Sequence, residues 1–401
     1  MTRDEIFKQC VEKIAKTNCL LLEAATGFGK TSISLRLTNH LLASSKFKDA
    51  KQINILILVA KRVHKQTWKD EIEKWGGIHH PTAKTNICME CYESLKNHTK
   101  EHWNIVISDE THHIGSEVRL GYLKTMSFEY FIGLSATIPQ KLKMLFKYRY
   151  HSEVVSCDII EAIDSDVLPE PTILLFPLQL ENTRQSETIE INPKAKGPVY
   201  QGEYKDLWKF KKTRAHAILK CTQKQKIIEV DKLIDWYKKK TMSGNTAMKQ
   251  TWLYFCGKRL EYFADYKLQW VKMILHHLDK ERTITFCKTI PQTEELGKNC
   301  IHSKNKDAEK VYNDFNEGKI DHITAVNILN ENANLVNCKY AIFANLSSSE
   351  VVQVQRTGRA LRHKKPVIII PYYKGTREDE IVEKQLEGFK EVRTIHSISE
   401  I

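Results

Sequence analysis

No apolar run in this chain approaches the roughly 18 residues of a membrane-crossing helix, and no basic-then-apolar leader opens it at Met1. A helical membrane span and export are therefore not expected, and a cytoplasmic protein is. A cysteine framework is missing too. The ten cysteines are scattered through apolar segments without regular spacing, which suits reduced core thiols better than disulfides. Cys88 and Cys91 have metal-ligand spacing, but no second pair lies near them and their setting, TNICMECYESL, reads as a strand leading into a helix. The metalloprotease order HExxH is absent, as are internal repeats, low-complexity tracts and any nuclease motif. A zinc site is not expected.

What is present in excess is positive charge. The formal net charge is +13 with a pI near 9.1, which suggests a polyanionic partner. Between Pro177 and Leu260 there are 18 Lys and Arg against 8 Asp and Glu, a local +10. Tyr204, Trp208, Phe210, Trp236, Tyr237 and Trp252 are interleaved with them. This is either an electrostatic footprint for the polyanion or a solvated helical insertion whose lysines lie along its own surface.

A chain of 401 residues accommodates two domains. Short apolar runs separated by helix-length segments read as buried parallel strands: residues 19–23, 53–60, 104–108 and 130–136, then 172–180, 283–287, 322–329, 340–346 and 366–370. The break near Asp164 to Pro171 divides them. The predicted fold class is α/β, with two successive parallel sheets in domains 1–165 and 166–401 and a basic, mainly helical insertion at about 181–275. Thr2 and Glu5 predict a capping box, with Ile6, Cys10, Val11 and Ile14 as the buried stripe. Residues 238–249 are the expected loop.

After the first strand, Ala24-Ala25-Thr26-Gly27-Phe28-Gly29-Lys30-Thr31 follows the phosphate-cradling pattern GxxxxGK[ST], with alanine at the first glycine position. Gly27 and Gly29 permit a tight turn whose N–H groups and following helix N-terminus face an anion. Thr26, Gly27, Phe28, Gly29, Lys30, Thr31 and Ser32 are the predicted nucleotide-binding residues. Lys30 would reach the β- and γ-phosphates and Thr31 would ligate Mg²⁺. The strand NIVIS then ends in Asp109 and Glu110, suited respectively to holding the metal, partly through water, and to activating the attacking water.

Four blocks in order now resemble the superfamily 2 helicases and translocases of the DExH branch: the Lys30 turn, Asp109-Glu110-Thr111-His112, Ser135-Ala136-Thr137, and Gln355-Arg356-Thr357-Gly358-Arg359-Ala360-Leu361-Arg362. The nearest group is that of phage branch-migration helicases, restriction motor subunits and XPB-like helicases. The resemblance spans Ala24 to Arg362 and implies two RecA-like domains with ATP and Mg²⁺ between them. Ser347 and Glu350 make a capping box, after which Gln355, Arg359 and Arg362 share one helix face. By resemblance, Arg359 and Arg362 are arginine fingers and Gln355 lies near the γ-phosphate or attacking water.

The same likeness makes Ser135 and Thr137 couplers of hydrolysis to strand movement, with His112 bridging to them. It places Lys61 and Arg62, within LILVAKRVHKQTW, and Lys288, after TITFC, on nucleic acid. Asn332 and Asn334 are also assigned there, although relatives carry glycine near Asn332. Arg3 and Gln9 are the adenine-side candidates. The implied activity is ATP-dependent unwinding or remodelling of nucleic acid, DNA rather than RNA, by a monomer in the cytoplasm, the host's if phage-encoded. Replication or recombination proteins are the expected partners. The rivals are a duplex translocase or annealing remodeller, an ATP-gated binding subunit, and the motor of a restriction complex.

Overall fold

The computed structural model describes residues 1–326, 335–346, 357 and 363–401. Thr2 caps helix α1 (Arg3–Thr17): its hydroxyl accepts the Glu5 N–H at 3.3 Å and the Glu5 carboxylate accepts the Thr2 N–H at 2.8 Å. Ile6, Cys10 and Ile14 are its buried face, and left-handed Asn18 ends it.

The chain then lays down β1 (Cys19–Ala24), α2 (Lys30–Leu42), β2 (Gln52–Val59), α3 (Arg62–Lys74), β3 (Lys84–Cys91), β4 (His102–Asp109), α4 (Glu117–Thr125), β5 (Ser127–Ser135), α5 (Gln140–Tyr150), β6 (Glu153–Cys157) and α6 (Ile159–Asp164). The strands pair in the order β3-β2-β4-β5-β1-β6, every pairing parallel. Successive residues of β2 show why its run is apolar throughout. Ile55, Ile57 and Val59 enter the core on one face, Leu56 and Leu58 that on the other.

The second half opens with β7 (Thr172–Leu178) and then leaves into the insertion. There β8 (Glu187–Ile191), β9 (Tyr200–Glu203), α7 (Leu207–Thr213) and β10 (Ala217–Cys221) precede two long helices, α8 (Gln223–Met242) and α9 (Lys249–His277). The helices dominate, as expected, but a three-stranded sheet of order β8-β10-β9 accompanies them around Ile189, Phe210, Leu219 and Cys221. Helix α8 also runs through the lysines at 238–240, which shortens the expected loop.

The chain returns through β11 (Thr283–Phe286), α10 (Ile290–Leu296), β12 (Cys300–Ile301), α11 (Ala308–Asn316), β13 (His322–Ala325), β14 (Tyr340–Ile342), β15 (Val367–Tyr373), α12 (Arg377–Leu386) and β16 (Val392–Thr394). These form a second parallel sheet, β12-β13-β11-β14-β15-β7-β16. Thus the fold is two RecA-like α/β units. Phe389 packs against the cores of both sheets. No helix among the described residues is long and apolar enough to cross a membrane.

A buried ion pair joins the insertion to the second sheet. Lys267 of α9 and Glu378 of α12 are 0% and 2% exposed, with Nζ 2.5 Å from Oε1; Oε2 of Glu378 accepts the Tyr373 N–H at 2.8 Å. Burial pulls the Lys267 ammonium below its ordinary pKa against the opposing pull of the Glu378 charge. Glu378→Ala should lower stability by about 3–5 kcal/mol in urea titration, because an ammonium is left buried alone. The double change Lys267→Met with Glu378→Gln, which removes that charge and keeps an acceptor for Tyr373, should recover most of the loss.

Candidate active site

The carboxyl ends of β1, β5 and β4 meet in register: Glu23 pairs with Ser135, and Leu134 with Asp109. Loops leaving parallel strands therefore emerge at one edge, which is where such sheets bind ligands. The loop after β1 turns through Gly27 at φ 91° and Gly29 at φ 101°. At Gly29, which caps α2, a Cβ would meet Ser32 Oγ at 3.3 Å and Arg3 Nε at 3.4 Å, so both backbone and space favour glycine. Lys30 Nζ donates to the carbonyls of Ala24 at 2.8 Å and Ala25 at 3.3 Å. The first turn of α2 carries no acidic residue, so its N–H groups present an unopposed positive end.

Within the predicted cradle, two residues face inward. The Phe28 ring is wholly buried in the core, and its carbonyl accepts Arg3 Nε at 2.7 Å. Ser32 donates its hydroxyl to the Gly29 carbonyl at 2.9 Å, bracing the turn. Thr26, Gly27, Gly29, Lys30 and Thr31 are partly exposed. Arg3 thus sits at the loop, whereas Gln9 donates to Met1 Sδ at 3.2 Å.

Across the edge, Asp109 is 6% and Glu110 5% exposed. The Trp68 indole donates to Asp109 Oδ2 at 2.9 Å, and the Tyr92 hydroxyl donates to the Asp109 carbonyl at 2.5 Å. Burial drives the Tyr92 hydroxyl pKa well up, so it remains a donor. Glu110 takes a left-handed backbone, φ 51° and ψ 54°, which for a residue with a Cβ costs on the order of 1–2 kcal/mol.

The Glu110 carboxylate lies 3.3 Å from Ser135 Oγ and 3.4 Å from His112 Nδ1, and those two atoms are 3.0 Å apart. Ser135 Oγ, with a single proton to give, also lies 2.9 Å from the Thr137 carbonyl oxygen. The structure therefore brings Glu110, His112, Ser135 and Thr137 into one network.

Glu23, in the apolar run LLLEAA, was not singled out from the sequence. Its Oε1 accepts the Ile138 N–H at 2.6 Å and its other oxygen pairs with Lys143, tying the segment after Ser135 to the strand before Lys30. A charged residue inside a buried strand was the available signal.

A cavity of 1020 Å³ opens between the two sheets. Ala25 and Thr137 line it from one side, and Thr357, Arg377, Lys384 and Phe389 from the other. Thr357 is buried; its neighbours Gln355, Arg359 and Arg362, like Asn332 and Asn334, lie outside the described residues. Lys61 and Arg62 are exposed at the start of α3 beside a smaller cavity shared with Lys65 and Glu90. Lys288 leads into α10, its N–H held by Gln292 Oε1 at 3.0 Å.

Strand alternation puts Cys91 on the opposite face of β3 from Cys88. Cys88, Glu90 and His98 bring one ligand atom each within 4.8 Å of one another. Burial raises the Cys88 thiol pKa, and Lys65 Nζ stands 3.0 Å from Glu90; both oppose a cation there.

Two family models match this sequence: the Type III restriction enzyme res subunit over residues 3–140, and the helicase conserved C-terminal domain over residues 266–364. The chain belongs to the superfamily 2 helicases. This helicase is an ATP-hydrolysing enzyme acting on nucleic acid, related to restriction motor subunits. No curated protein sequence matches it.

Among solved structures, a point variant of S. cerevisiae Dbp5 bound to RNA and ADP BeF3 is similar at TM-score 0.56 and 11% identity, over 98% of this helicase and 89% of that chain. Dbp5 bound to the same ligands gives 0.54 at 11% identity over the same shares. The ATP-dependent Type ISP restriction-modification enzyme LlaBIII bound to DNA gives 0.53 at 14% identity, over 99% of this chain and 31% of that one. These are likenesses of fold.

The indole bond to Asp109 gives a direct test of the buried edge. Trp68→Phe should lower stability by about 1.5–3 kcal/mol, as expected for a hydrogen bond to a buried charged group. Trp75→Phe, which removes an exposed indole contact with Glu71, should stay within about 0.5 kcal/mol. Urea midpoints of the two variants provide the comparison.

Proposed function

We propose that this helicase is an ATP- and Mg²⁺-dependent motor on DNA that unwinds or remodels duplexes or branched junctions. The observation that carries the reading is the convergence of the Lys30 loop, the Asp109-Glu110 pair and the Ser135 network on one sheet edge beside a cavity that Thr357 of the second lobe also lines. ATP is held by the loop of residues 26–31 and Lys30. The Thr31 hydroxyl and Asp109 carboxylate form the hard-oxygen donor set that Mg²⁺ prefers, and the ion would neutralise phosphate charge there.

Glu110 accepts the proton of the attacking water, while Ser135 and His112 hold its carboxylate in orientation. Arg359 and Arg362 approach from the second lobe, residues 166–401, as it closes on the first, residues 1–165, with Gln355 near the water. Thr137, hydrogen-bonded to Ser135, transmits that closure toward the nucleic-acid contacts at Lys61, Arg62, Lys288, Asn332 and Asn334. The molecule works in the cytoplasm, as a monomer, alongside replication or recombination proteins.

DNA is favoured by the match of residues 3–140 to a restriction-enzyme subunit. RNA is the second reading, because Dbp5, the similar structure of nearly equal length, was solved with RNA. ATPase rates with single-stranded DNA, duplex, forked DNA and RNA decide between them: stimulation by RNA alone overturns the DNA assignment. Strand displacement on a fork separates unwinding from duplex translocation.

The site assignments predict three different failures. Lys30→Ala loses ATP binding. Glu110→Gln binds ATP but turns over about 10²–10⁴-fold more slowly, and Arg359→Ala binds ATP with a loss on the order of 10³–10⁵. Fluorescent-nucleotide binding measured beside ATPase activity distinguishes them, and unchanged hydrolysis in any variant removes that residue from the site.

A further inference from the structure

Helices α8 and α9 pack as a hairpin whose inner half belongs to the second lobe's core, where Ile227, Phe263, Val271 and Ile274 are buried beside Leu174 and Phe176. Its outer half is different. Trp236 and Tyr237 on α8 lie edge to face with centroids 4.7 Å apart. Tyr237 stacks on Phe255 of α9 at 5.5 Å and 17°, and Phe255 meets Tyr254 at 5.3 Å. Four rings thus form an unbroken band across both helices. Both ends of the band are open: Trp236 is 49% and Tyr254 58% exposed.

Each open end also carries a cation one helical turn on. Lys240 Nζ lies 5.8 Å from the Trp236 centroid and Lys258 Nζ 5.9 Å from that of Tyr254. From Lys232 to Leu260 there are seven Lys and Arg against one Asp. Lys238, Lys239, Lys240 and Lys249 are exposed and form no salt bridge among the described residues.

We infer that this end of the hairpin is a stacking platform for single-stranded nucleic acid, with bases on Trp236 and Tyr254 and phosphates on the surrounding lysines. The chemistry selects the strand form. Exposed rings gain by stacking on bare bases, which a duplex keeps inside its own stack, while lysines serve either form through phosphates.

The inference rests on the proposed strand contact at Lys288, because α9 also supports that loop. Asp265 of α9 accepts Gln292 Nε2 at 2.6 Å, and Gln292 Oε1 receives the N–H groups of Lys288 at 3.0 Å and Thr289 at 3.2 Å. Tyr254 lies eleven residues before Asp265, about 16 Å along the same helix at 1.5 Å per residue. A strand leaving Lys288 along α9 reaches the rings.

The test uses the full chain without nucleotide and fluorescence anisotropy with labelled oligothymidylate, oligouridylate and a hairpin duplex. Trp236→Ala with Tyr254→Ala should weaken single-strand binding by about 10-fold or more, leave its salt dependence unchanged, and leave duplex affinity within about twofold. Trp236→Phe with Tyr254→Phe should retain binding, which shows that the hairpin still folds. Lys239→Gln with Lys240→Gln should reduce the slope of log affinity against log salt by about 0.7 per contact.

Wild-type single-strand affinity in the double alanine variant overturns the platform and leaves the patch to a protein partner. A platform that holds oligouridylate but not oligothymidylate stands, while the DNA reading falls.

Discussion

The parallel register of β1, β5 and β4 is the constraint on which the site depends. Side chains alternate along a strand, so Glu23, Ser135 and Asp109 reach one edge together only while Glu23 faces Ser135 and Leu134 faces Asp109. A slip of one residue would turn Ser135 away from Glu110. The register is enforced by the two apolar cores, which take alternate residues of the same strands. Packing that serves stability therefore also aims the polar groups.

Much of this was legible in the sequence, because its signals are local. The glycine turn, its lysine and hydroxyl, the acidic pair after a strand and the Thr2 capping box each occupy a few consecutive residues. The contacts that complete the site do not. Trp68 and Asp109 are 41 residues apart, Glu23 and Ile138 are 115 apart, and the strand order alone makes them neighbours. Trp68 closes the run LILVAKRVHKQTW, and nothing local there marks its indole as the donor to Asp109. The sheet of the insertion was hidden for another reason: β8 and β9 bury few of their residues and lack the apolar runs that betray the central strands. Gln355, Arg359 and Arg362 share a helical face in the sequence and lie outside the described residues.

Left-handed Glu110 shows how the same edge reconciles stability with chemistry. A side chain there is costly, but the carbonyl of Asp109 is held by Tyr92 and the carboxylate of Glu110 sits among Ser135 and His112. The surroundings over-determine a backbone that the residue would not choose in isolation. Fixed geometry of this kind lowers the reorganisation left for a reaction step.

The Lys267–Glu378 pair sets a boundary for engineering the molecule. Because one partner belongs to the long insertion helix and the other to the helix beside the cavity between the lobes, excising the whole insertion would strand a carboxylate in the core. Only the distal portion, beyond Phe263, is separable in principle. A minimal motor made by shortening this protein would have to be trimmed from the outside inward, keeping the root of α9 as part of the lobe whose sequence it interrupts.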